Sequence, residues 1–163
     1  MMQVIRNWRE ASFNRAALTI GNFDGVHRGH QAILAAARRH ARRVGSQVVA
    51  MTFEPHPAQV LSPDRVPPKL TPLDIRLELL AQAGADAIVL LEPTPEFLSM
   101  TAETFVREVI VDRFHPVAVC EGPTFGFGQH RQGDVRMLTA AGQTFGFEVE
   151  IVPPVRVALG GHP

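Results

Sequence analysis

Two histidines three residues apart, His27 and His30, close the segment Gly21-Asn22-Phe23-Asp24-Gly25-Val26-His27-Arg28-Gly29-His30. Residues at that spacing share one side of a helical turn. A helix start carries partial positive charge and free N–H groups, which favour an anion. Imidazole N–H groups placed there donate to phosphate oxygens, and Arg28 adds a fixed charge beside them. Gly21, Gly25 and Gly29 allow a ligand close to the backbone. The segment therefore suits a polyphosphate. It is not a dinucleotide fingerprint, because G-x-G-x-x-G is absent, and no Gly-Lys-Ser/Thr follows to make a P-loop. No third ligand stands nearby at zinc spacing. A glycine turn with two surface histidines is the plainer alternative.

Two other segments carry ring-binding character. Thr52-Phe53-Glu54-Pro55-His56-Pro57 offers a stiff loop with flat side chains, which suits a planar ligand. The stretch from Glu121 to Asp134 holds Gly122, Gly126, Gly128 and Gly133 around Phe125 and Phe127. Its phenylalanines can stack on a ring or pack in the core, Arg131 can meet a phosphate, and Asp134 can cap a helix.

These loops must be positioned by something. The apolar runs at 16–20, 47–53, 85–91, 117–121 and 147–152 read as strands. Helices are expected at 29–44, 72–83, 101–114 and 133–144. The first has the stripe Ile33, Leu34, Ala37, Ala41 and Val44, with Gly45 to stop it. The second should turn Leu73, Leu77, Leu80 and Ala81 inward, and the third should start at the Thr101 cap. Residues 54–68 hold five prolines and read as irregular. Alternation of this kind implies βαβ units and a parallel sheet. Ligands in such folds sit beyond the carboxyl ends of the strands, where the three loops fall.

The 163 residues hold 16 basic and 16 acidic side chains, so no global field draws nucleic acid or anionic membrane. The Arg38-Arg39-His40-Ala41-Arg42-Arg43 run fits a helix C-terminus better than a nucleic-acid patch. Cys120 is the single cysteine, which excludes an internal disulfide and reads as a core residue. Apolar runs are far shorter than the roughly 20 residues of a membrane helix. A cytoplasmic protein that handles small molecules is expected.

The ten residues 21–30 resemble the signature of the bacterial FAD synthetase module. That module is the FMN adenylyltransferase half of the bifunctional riboflavin kinase/FAD synthetases. Phe53-Glu54-Pro55-His56-Pro57 is similar to the family's Phe-x-Pro-His-Pro stretch beside the flavin. Leu70-Thr71-Pro72-Leu73 and residues 97–106 follow the family's order of motifs. Residues 122–133 resemble Gly-x-Asp/Asn-Phe-x-Phe-Gly-x-x-Arg-x-Gly, with Thr124 at the Asp/Asn place. The resemblance spans residues 18–155.

It implies a Rossmann-like α/β fold with a parallel five-stranded sheet, of the His-x-Gly-His nucleotidyltransferase type. The implied reaction is transfer of AMP from ATP to FMN, giving FAD and pyrophosphate, with Mg2+ expected and its protein ligands not readable. His27 and His30 would be catalytic. Gly21, Asn22, Phe23, Asp24, Gly25, His27, Gly29 and His30 would bind ATP. Phe53, Pro55, His56, Pro57, Thr124, Phe125, Phe127 and Arg131 would line the flavin. The family's Ser-Ser-Thr-x-Ile-Arg motif and its kinase domain do not occur within residues 1–163. The chain is therefore expected to be one FAD synthetase domain, cut short at its C-terminus, with riboflavin kinase in the parent chain. A non-catalytic flavin or nucleotide module, and a sister transferase acting on another phosphate ester, are the alternatives.

Overall fold

Valine, isoleucine, leucine and alanine fill the four inner strands because these are covered on both faces, as in all-parallel sheets. The computed structural model of the chain describes residues 2–158; the expected C-terminal truncation concerns residues that run past them. The strands are β1 (Gln3–Ile5), β2 (Ala16–Gly21), β3 (Gln47–Phe53), β4 (Ala87–Leu91), β5 (Pro116–Glu121) and β6 (Glu148–Ile151). They form one sheet of order β1-β4-β3-β2-β5-β6, and every pair is parallel. The expected five strands are thus six. The addition, β1, is three residues long and lies against β4 at the edge.

The helices are α1 (Arg28–Val44), α2 (Ala58–Leu61), α3 (Leu73–Gln82), α4 (Pro95–Leu98), a composite α5 over 102–114, and α6 (Val135–Phe145). Strand alternation sends Leu18, Val49, Met51, Val89 and Val119 to one face, where α5 and α6 bury Phe105, Val109, Ile110 and Leu138 against them. Ala17, Val48, Ala50, Ile88, Ala118 and Cys120 face the other way, onto Leu34 and Ala37 of α1 and Leu80 of α3. Burial, and then the Glu150 carboxylate, push the Cys120 thiol up to about 12, so it is no nucleophile at neutral pH.

Gly45 ends α1 in a left-handed conformation at φ 65°. Val44, expected on the inward stripe, is 38% exposed. The neighbouring cations are engaged: Arg38 pairs with Asp86 at 2.9 Å, Arg39 with Glu150 at 2.7 Å and Arg43 with Glu148 at 2.6 Å. They tie the helix to the start of β4 and to the edge strand β6. β4 starts two residues later than its apolar run, at Ala87, because the Asp86 carboxylate takes the Val48 N–H at 2.7 Å. Thr101 caps α5 through the Thr104 N–H, and Phe105–Val111 is wound as a wider π-helix. Asp134 caps α6 through the Met137 N–H at 2.9 Å. The stretch expected to be irregular contains α2 and a 3-10 turn at Pro63–Arg65.

Candidate active site

From β2 the chain crosses to β3 on one side, while β5 pairs on the other. Strand order reverses there, and the crevice lies beyond the strand ends at that point. The loop leaving β2 is anchored by its apolar members. Phe23 is 1% exposed and Val26 is 3% exposed, and both hold positive φ angles, 52° and 40°. The Phe23 ring meets His30 edge-on at 5.1 Å. Phe23 therefore faces the core, and only its backbone is available to a ligand.

His27 has a role that its spacing does not announce. Its Nδ1 accepts the backbone N–H groups of Gly29 at 3.1 Å and His30 at 3.4 Å, so the imidazole is itself the N-cap of α1. Two of the free N–H groups expected at this helix start, those of Gly29 and His30, are therefore occupied. An Nδ1 that accepts places the proton of the neutral ring on Nε2. The helix end is relayed outward through one Nε2–H donor. The His30 ring stacks on His27 with centroids 3.6 Å apart. Burial, and then the neighbouring His27, lower its pKa to about 4, so His30 is neutral at neutral pH. Its Nδ1 is buried without a hydrogen-bond partner.

Asp24 faces its neighbours rather than the crevice. Its carboxylate accepts from Leu70 N at 2.8 Å, Thr71 N at 2.9 Å and Thr71 Oγ1 at 2.9 Å. Desolvation works to raise its pKa, but these bonds and Arg76 outweigh it and hold the carboxyl below the usual range. Arg76 of α3 is 7% exposed. It donates to the Asn22 carbonyl at 3.0 Å and pairs with Glu54, which Lys69 also meets at 3.1 Å. Thr52 Oγ1 donates to the same Asn22 carbonyl at 2.9 Å. The first and second loops are thus pinned together beneath Asn22. Glu121 closes β5 fully buried and accepts the Ile20 N–H at 2.6 Å. Burial pushes its carboxyl well above the usual range, partly offset by that bond and by Thr19.

A cavity of about 840 Å³ opens beside Gly21 and Asn22. Phe53, His56, Pro57, Thr124, Phe125, Phe127 and Arg131 all line it, and Pro55 does not. Phe97 and Phe105 complete the aromatic wall. Phe53 meets Phe97 at 6.0 Å, and Phe105, Phe127 and Phe125 follow at 5.6 and 5.5 Å. Phe127 belongs to both core and wall, since it is 5% exposed. Its ring lies where a Cβ on Gly133 would stand, at 2.3 Å. Arg131 folds back, donating to the Thr124 carbonyl at 2.8 Å, so its guanidinium braces the loop. His56 Nδ1 accepts from Ala58 N at 3.0 Å and fixes that ring.

Magnesium has no evident protein cage among the described residues. Asp24 is saturated by donors, Glu54 is paired with Arg76 and Lys69, and Glu121 is buried and favours the neutral acid. The residues present do not fit a protein-held Mg2+ site.

Arg76, Glu54, Thr52 and Glu121 are the members that motif reading misses. Arg76 was findable: with Leu73, Leu77 and Leu80 it falls on the inward stripe of α3. Phe97 and Phe105 lie in the segment that resembles the family's flavin side.

The fold and its switch-point crevice define an α/β protein built on an all-parallel six-stranded sheet. Pantoate-beta-alanine ligase from Francisella tularensis shares the fold, with a TM-score of 0.54 over 97% of this chain and 69% of that one, at 12% identity. A structure described as a macrolide-efflux protein from Streptococcus pneumoniae reaches a TM-score of 0.80 at 25% identity, over 96% of this chain and 51% of that one. Residues 9–160 match the FAD synthetase family, and the chain belongs to it. The bifunctional riboflavin kinase/FMN adenylyltransferase of Escherichia coli K12 is 35% identical over 149 residues, 91% of this chain and 48% of that protein. The Haemophilus influenzae protein of the same description is 34% identical over 151 residues, 91% and 49% of the two chains. The chain spans about half the length of the curated relatives it matches. Among the described residues no helix is long and apolar enough to cross a membrane.

Proposed function

We propose that this chain is an FMN adenylyltransferase. A phosphate oxygen of FMN attacks the α-phosphorus of ATP, the bond to the β-phosphate oxygen breaks, and pyrophosphate leaves with that electron pair. The attacking phosphate is already an anion, so no side chain need act as base. Catalysis is then placement plus charge stabilisation. His27 Nε2–H and the neutral His30 donate to the triphosphate, and the Gly21–Asn22 backbone lies against the nucleotide. The aromatic wall holds the isoalloxazine ring. Magnesium would travel with the nucleotide phosphates rather than be held by carboxylates of this chain.

The observation that carries this reading is adjacency. The ring-lined cavity shares Gly21 and Asn22 with the loop that ends at the His27 cap. The relatives' names pair this activity with riboflavin kinase, and a kinase unit that supplies FMN in the same cytoplasmic compartment belongs to the proposal. The test is incubation with FMN, ATP and Mg2+, with FAD and pyrophosphate both quantified. Equimolar FAD and pyrophosphate support the reading. Flavin binding without pyrophosphate release would instead make the chain a non-catalytic module. Thr124 at the Asp/Asn place, its carbonyl occupied by Arg131, is what favours that alternative.

A further inference from the structure

Away from the crevice, on the sheet face that α1 covers, three donors of different chemistry converge. Cys120 of β5 and Glu150 of β6 are register partners, and His40 of α1 packs over them. One ligand atom from each lies within 4.8 Å of the other two. We propose that His40, Cys120 and Glu150 form a binding site for a zinc-type divalent ion.

The donor set selects the ion. Thiolate, imidazole and carboxylate together suit zinc, whereas magnesium and calcium take oxygens alone. Tetrahedral zinc places such donors about 3.3–3.8 Å apart, so only small side-chain shifts are needed. The surroundings are already arranged. Arg39 holds Glu150 Oε1 at 2.7 Å and leaves Oε2 turned to His40 Nε2 at 2.7 Å.

The imidazole gives the second, independent indication. His40 is 8% exposed, and its Nδ1 is buried without a hydrogen-bond partner, 3.3 Å from Glu148 Oε2. In a neutral ring that donates from Nε2 to Glu150, Nδ1 presents a lone pair to the Glu148 carboxylate. A metal on Nε2 moves the ring proton to Nδ1, directed at that carboxylate. Metal-bound histidines are commonly oriented by a carboxylate in this way. Binding displaces the thiol proton to solvent. A cavity of about 550 Å³ borders His40 and Glu148 on the Nδ1 side of the ring.

The experiment is titration of the chelator-treated chain with Zn2+ and, separately, Co2+. One equivalent of Co2+ should produce a near-ultraviolet thiolate-to-cobalt absorption, and Zn2+ should abolish it. Cys120→Ser should remove the band, and Glu150→Gln should weaken binding at least tenfold while changing shape little. A His27→Ala/His30→Ala double variant should keep the band, which separates this site from the crevice histidines. Three outcomes would overturn the proposal: no thiolate band at one equivalent, Zn2+ binding in Cys120→Ser or Glu150→Gln as strong as in the parent chain, or loss of the band with the crevice histidines. Circular dichroism of each variant shows that it is folded before titration.

Discussion

Replacing Arg76 with methionine tests how the two loops of the crevice are held. Arg76 is 7% exposed, and its guanidinium serves both the Asn22 carbonyl and Glu54. Removing one partner of a buried ion pair typically costs about 3–5 kcal/mol. Here two features soften the loss. Glu54 keeps Lys69 at 3.1 Å, and the Asn22 carbonyl keeps Thr52 Oγ1 at 2.9 Å. Methionine also refills much of the aliphatic stem. The expected cost is therefore about 2–3 kcal/mol, which lowers Tm by roughly 4–12 °C for a chain of this size. Thermal denaturation measures it, and Glu54→Gln completes a double-mutant cycle. The double variant should lose less than the two single losses added together. Asn22 borders the cavity, so ATP affinity should fall alongside stability. A Tm change below about 2 °C, or strictly additive losses, would refute a coupled pair beneath Asn22.

Glu121→Gln keeps an acceptor for the Ile20 N–H but removes the ionisable group. A carboxyl raised on folding contributes its full stability below the unfolded value of about 4.5 and loses it as pH rises toward the folded value. The variant should gain on the parent as pH climbs above about 4.5, read as Tm against pH; a constant offset would contradict this. His27→Ala removes the cap on Gly29 and His30, costing about 1 kcal/mol, and should depress turnover far more than flavin affinity. Equal losses in both, in a folded protein, would contradict the phosphate role. Gly128→Ala meets both a φ of 76° and Ala102 backbone 2.7 Å from the new Cβ, whereas Gly45→Ala meets only a φ of 65° with open space around it. Urea denaturation should rank the first well below the second, which costs about 1–2 kcal/mol.

The sheet was legible because burial on both faces leaves continuous apolar runs, as in Ala16–Gly21 and Gln47–Phe53. β1 escaped notice since three residues ending at an exposed Arg6 make no run, and its place is fixed only by β4. The aromatic and proline loops announced themselves through residue type, and all but Pro55 meet around one cavity. The polar framework did not. Arg76 reaches partners 54 and 22 residues away, Asn22 and Glu54, so no local pattern encodes the contact. His27 looked like a ligand donor alone, because histidine is not among the usual capping residues. Only the backbone geometry reveals that one ring nitrogen is already committed.

The order of the strands bears on how the molecule assembles. β2 and β3 are joined by a single helix, but β2 and β5 meet after almost a hundred residues, and the Ile20–Glu121 bond closes that span. Loop closure over such a distance costs more chain entropy than the neighbouring pairings do. The two walls of the crevice therefore belong to parts of the chain that become neighbours only when the seam zips shut. The cavity takes its lining from residues 20–62 and from residues 95–131, so it is complete only once β5 has docked.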